Sequence, residues 1–139
     1  MHYALLVGHD EAAMITEEER SRRHAALSSF AQQMQASGML AGDELLQPTE
    51  TAVTVRCWDG GDVIVADGPL APAREQIAGV FIVDCKDLDE AITVATKVPA
   101  AWYGAVEVRP VRPGPQRAGE GAGRHPTGAG CSAYRGAGT

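Results

Sequence analysis

Long apolar runs are missing from this chain, which nowhere reaches the ~20 consecutive apolar residues that cross a bilayer, so no membrane-spanning helix is expected. The N-terminal run Tyr3-Ala4-Leu5-Leu6-Val7 lacks a basic flank and ends too soon for a secretion signal, so the expected location is the cytoplasm. Cysteine is sparse. Cys57, Cys85 and Cys131 are odd in number, far apart and without C-x-x-C spacing, which argues against a disulfide framework and leaves Cys57 and Cys85 as small strand residues. The 4 histidines are scattered without paired-ligand spacing, so no metal is expected. A phosphate loop, a dinucleotide glycine pattern and a Ser-His-Asp order are all absent, and no cofactor is expected either. Basic residues are also short, with 12 Lys and Arg against 18 Asp and Glu. Without the C-terminal 27 residues the net charge is −8, a surface that repels phosphate backbones and disfavours nucleic-acid binding.

What is present suits one domain with a tail. A chain of 139 residues can build one hydrophobic core and is too short for two ordinary domains. Residues 113–139 hold 8 Gly and 3 Pro and almost no large apolar side chains, too little to offset the entropy of ordering them. They read as a disordered tail behind a folded domain at residues 1–112.

Within that domain, Tyr3 to Val7 is a short apolar strand closed by Gly8-His9-Asp10. Thr16-Glu17-Glu18-Glu19 has capping-box spacing and predicts a helix running to Gly38, with Leu27, Phe30 and Met34 as its apolar stripe. Arg23 continues that stripe one turn earlier, with His24 on its flank, so the start of the helix offers polar groups to whatever the stripe covers. Ala52–Trp58 and Asp62–Asp67, joined by Asp59-Gly60-Gly61, predict a hairpin. Gly79–Asp84 reads as a central strand. Asp87 caps a second helix with a stripe of Leu88, Ala91, Ile92, Ala95 and Val98, ended by Pro99, and Ala105–Val111 is the last strand.

The order β-α-β-β-β-α-β predicts an α+β fold: a ferredoxin-like antiparallel sheet with two helices on one face and an added hairpin strand. By alternation the other face carries Thr54, Arg56 and Trp58 together with Glu107 and Arg109. That face must meet solvent, a ligand or a second copy of the chain, and a two-fold dimer buries it most simply.

Thr54-Val55-Arg56-Cys57-Trp58-Asp59-Gly60, followed by Val65-Ala66-Asp67-Gly68-Pro69-Leu70, resembles the T-V-R, D-G and D-G-P-F blocks of the YCII-related, DGPF-type family, with Leu70 in place of the usual Phe. The resemblance continues through Ala73-Arg74-Glu75-Gln76-Ile77-Ala78-Gly79, Asp87-Leu88-Asp89-Glu90-Ala91, Pro99-Ala100-Ala101 and Gly104–Pro110. It implies sheets paired into a dimeric α+β barrel with a small cleft in each subunit. Members include a dehydrochlorinase, while others accompany extracytoplasmic-function sigma factors, which makes a sigma factor a candidate partner. The resemblance also implies a His-Asp pair with its His on the first helix, where Leu27 stands nearest and His24 lies one turn earlier.

Candidate catalytic residues are therefore Asp67, His24 and His9. Asp67 is either a general acid or base or the cap of its own turn. His9 and His24 are either titratable groups at a cleft or solvated surface residues. Candidate ligand-binding residues are Arg56, Trp58 and Glu75, with Arg56 suited to a carboxylate ligand or to an ion pair with Glu107 or Glu75. Arg56 and Asp67 are expected to line one site on the helix-free face. Two functions follow: a homodimeric module binding a small molecule or partner, or a cofactor-free lyase or isomerase acting on a small carboxylate or phenol. The Leu residues at the two family positions favour the first.

Overall fold

The computed structural model describes residues 1–114. Cys131 and nearly all of the expected tail lie outside the described residues. In chain order the elements are β1 (His2–Asp10), α1 (Glu17–Ala36), β2 (Leu40–Leu45), β3 (Val53–Cys57), β4 (Val63–Asp67), β5 (Glu75–Asp84), α2 (Leu88–Thr96) and β6 (Ala105–Pro110), with 3-10 turns at Thr49–Thr51 and Pro99–Trp102. They divide between two compact units, Met1–Pro48 with Pro72–Arg112, and the segment around Thr49–Ala71.

In the first unit four strands form one antiparallel sheet in the order β2-β5-β1-β6, an α+β arrangement consistent with a ferredoxin-like fold. The expected capping signal is in place, since the Glu19 amide donates to Thr16 Oγ1 at 3.1 Å. Gly38 stops the helix in a left-handed conformation, φ 75°, that a side chain would strain. Leu27, Phe30 and Met34 are the buried residues of α1, as their spacing predicts. They meet Tyr3, Leu5 and Val7 of β1 and Phe81 and Val83 of β5 in one core, where the Phe30 and Phe81 rings pack edge to face at 5.2 Å. Val106 and Val108 join from β6, placed level with Val7 and Leu5 by the register.

The second stripe differs from expectation. Ala91, Val94 and Ala95 face the core, followed by Val98, whereas Leu88 and Ile92 are each 46% exposed. The real stripe keeps three- and four-residue steps from Ala91. A small-residue face lets α2 lie close to the sheet, at the cost of leaving two larger apolar groups outside.

The sheet also differs from expectation, at two points. Its outer strand is β2, which sequence reading did not find: Leu40-Ala41-Gly42-Asp43-Glu44-Leu45 has no β-branched residue and becomes a strand through its pairing with β5. Acidic side chains on such an edge discourage further pairing. The predicted hairpin does form, but β3 and β4 make a separate two-stranded sheet, so Thr54, Arg56 and Trp58 do not share a sheet face with Glu107 and Arg109. The helix-free face of the larger sheet instead carries Ala4, Leu6, Val80 and Ile82 in its central strands, with Glu107 and Arg109 on β6. Among the described residues no helix is long and apolar enough to cross a membrane.

In the second unit the hairpin turns at Gly60 and Gly61, whose φ values of 111° and 90° require glycine-like freedom, and the Trp58 amide closes the turn on the Asp62 carbonyl at 3.0 Å. Thr54 Oγ1 donates to the Gly68 carbonyl at 2.8 Å and the Gly68 amide to the Ala52 carbonyl at 2.8 Å, which ties the open end.

Candidate functional site

The sequence-named residues divide between the units. Arg56, Trp58 and Asp67 belong to the hairpin, and His9, His24 and Glu75 to the larger unit.

Within the hairpin, Val53 pairs with Asp67 and Arg56 with Ile64. Paired residues project to the same side of a ribbon, so Asp67 leaves with Val53, Val55 and Val65, and Arg56 leaves opposite, with Thr54 and Ile64. The register separates Arg56 from Asp67 instead of bringing them together. All of Arg56, Trp58 and Asp67 are exposed. Among the described residues the Asp67 carboxylate accepts no hydrogen bond, and the following turn is held by Thr54 and the Ala52 carbonyl instead. Asp67→Asn should therefore change stability by less than about 0.5 kcal/mol in chemical denaturation, well short of the loss that a turn cap would give. In the larger unit Glu107 accepts from Arg109 Nε at 2.7 Å within its own strand.

In the larger unit, His9 ends the core-facing series Tyr3, Leu5, Val7 on β1 and is half-buried, opposite Gln76. His24 is exposed on the flank of the α1 stripe. Glu75 is exposed and pairs across the strands with Asp10. Asp10 is itself engaged, accepting the Ala12 amide at 2.9 Å and Arg74 Nε at 3.0 Å. Those two bonds, the amide first, hold its carboxyl below the usual carboxylate range.

A polar group held by several contacts lies in the first half of α1. Arg23 Nε donates to Glu19 Oε1 at 3.0 Å one turn back, and its guanidinium carbon sits 3.9 Å from the centroid of the Tyr103 ring. Tyr103 is carried to this place by Gly104, whose backbone lies so close to Gly8 and His9 that a Cβ there would strike the Gly8 carbonyl. Burial pushes the Tyr103 phenol up, partly countered by Arg23.

A family model described as the YCII-related domain matches residues 1–114. The chain belongs to the YCII-related domain family. An uncharacterized protein, R00369, of Rhizobium meliloti (strain 1021) is 36% identical over 115 residues, covering 80% of this chain and 92% of that protein.

For this YCII-related domain, the signature block Thr54–Leu70 maps onto the hairpin and its exit, while the fixed guanidinium and phenol map onto α1 and the turn before β6. The sequence carried one signal for the latter pair: Arg23 continues an otherwise apolar stripe, so it had to meet something at the rim of the core. Tyr103 had no such signal, because only the approach of Gly104 to β1 brings its ring under Arg23.

Proposed function

We propose that this YCII-related protein works as a homodimer that binds a small molecule or partner, with the helix-free face of each larger unit turned toward its mate. The observation that carries the reading is that face: Ala4, Leu6, Val80 and Ile82 sit side by side on central strands with no helix over them. An apolar patch of this kind loses stabilisation when left in water, and a self-complementary two-fold contact removes it. Glu107 and Arg109 at its border would give the contact polar specificity. The hairpin supports the same reading by itself. Val53, Val55 and Val65 are exposed on one of its sides and Trp58 and Ile64 on the other, and a lone two-stranded ribbon is only marginally stable in water.

Light scattering on the full chain at micromolar concentration should give twice the 14.6 kDa chain mass. Ile82→Glu, which puts a charge into the proposed interface, should shift the protein to monomer while keeping its secondary structure. A wild-type monomer at that concentration would sink the reading. Arg56, Trp58 and Glu75 remain proposed ligand contacts, and a sigma factor remains the proposed partner where the occupant is a protein.

A further inference from the structure

We infer that Arg23 and Tyr103 form a binding site for the carboxylate of a small organic acid. The inference takes from the reading above only that the domain binds a small molecule, and does not depend on the dimer. Arg23 is held in two ways at once, through Nε to Glu19 and through its face on the Tyr103 ring, and its side chain is only 23% exposed. These contacts set the plane of the guanidinium. Among the described residues Arg23 has no hydrogen-bond or ion-pair partner besides Glu19, and that contact runs through Nε, which leaves the outer edge of the guanidinium for a ligand. A planar fork, fixed in place with its outer pair of donors open, matches the two oxygens of a carboxylate.

The local charge agrees. Glu19 is shared between Arg23 and Arg22, the latter at 3.2 Å, so two guanidinium groups surround one carboxylate and Arg23 is only partly neutralised by it. Glu17 is engaged with Arg20 at 3.9 Å, and Glu18 is exposed and takes part in none of these pairs. In a domain otherwise rich in acidic groups, this restrained cation is a preorganised place for an anion to gain by binding.

Tyr103 supplies the second group. Its phenol is protonated at neutral pH, as any tyrosine hydroxyl is, and can donate a hydrogen bond. It has no hydrogen-bond partner among the described residues. Among the described residues Arg56 has neither a ring nor a carboxylate of the kind that fixes Arg23.

The test is a titration of the isotope-labelled full chain with benzoate, followed by NMR, with benzamide as the neutral isostere. Saturable shifts centred on Arg23 and Tyr103 are expected for benzoate and not for benzamide. Arg23→Lys keeps the charge but loses the fork and the stack, and should weaken binding by at least about tenfold. Tyr103→Phe keeps the ring under Arg23, so it guards against a folding defect, and should weaken binding about fivefold through one lost hydrogen bond. Arg20→Gln, outside the site, should change nothing. No saturable response to benzoate, an equal response to benzamide, or binding indifferent to both Arg23→Lys and Tyr103→Phe would overturn the inference. Light scattering of the same samples reports the dimer separately, so either claim can fail without the other.

Discussion

Gly104→Ala should lower the unfolding free energy by about 3 kcal/mol, because the new methyl group has no place to go. A Cβ at this position would overlap the Gly8 carbonyl and stand 3.1 Å from its carbon and 3.2 Å from His9 Cα. All three are backbone atoms of β1, paired on one side to β5 and on the other to β6, so relief requires pulling strands apart. For a domain of this size the loss corresponds to a fall in melting temperature of roughly 10–20 °C, readable by calorimetry or circular dichroism. Gly42→Ala is the control. Its Cβ would meet nothing within 4 Å and its φ is not in the left-handed region, so it should stay within about 0.5 kcal/mol of wild type. A Gly104→Ala protein as stable as wild type would mean that Tyr103 and Gly104 are not seated against β1, and the placement of Tyr103 beneath Arg23 would fall with it.

Phe81→Ala should cost about 3–5 kcal/mol, the usual penalty for emptying a phenylalanine site in a core that cannot collapse. Phe81 is fully buried on β5, level with Leu5 across the sheet and edge-on to Phe30 of α1, so its ring fills the volume where both central strands meet the long helix. Removing it takes away the transfer free energy of the ring and its edge-to-face contact with Phe30. Ile82, its neighbour on the opposite face, offers the contrast: Ile82→Ala opens no sealed cavity in a single chain, so under the proposed dimer its effect should appear mainly as weaker self-association. Denaturant titration at several protein concentrations separates the two, since only the Ile82 variant should change the concentration dependence. A loss below 1 kcal/mol for Phe81→Ala would contradict the packing of α1 on the sheet.

Much of the fold was legible because its signals are local. Thr16 before three glutamates, the spacing of Leu27, Phe30 and Met34, and Gly38 in a left-handed stop each act within a few residues. Asp59-Gly60-Gly61 announced the hairpin for the same reason. The second helix was placed well but rotated, because Leu88 and Ile92 are more apolar than Ala91 and Ala95, and composition cannot reveal that the sheet accepts only small groups there.

The strand β2 was missed because its residues have no preference for extended structure and pair only because β5 presents an open edge. The candidate site was harder still. The single-face placement of Arg56 and Asp67 failed on parity: pairing of Cys57 with Val63 sets which residues face each other, and a shift of one residue in the turn would have put them together.

By itself the sequence determined the class of molecule, the two helices with their caps, the hairpin and the kinship to the YCII-related family, since each depends on short-range chemistry or on a linear pattern of residues. Only the tertiary structure decided that the hairpin stands as its own sheet, that β2 completes the larger one, and that Tyr103 lies under Arg23. Those outcomes join residues as many as 80 positions apart, counting from Arg23 to Tyr103, through register and close backbone approach. Neither leaves a mark in the local pattern, because register is a relation between strands and Gly104 reveals its purpose only where β1 is already beside it.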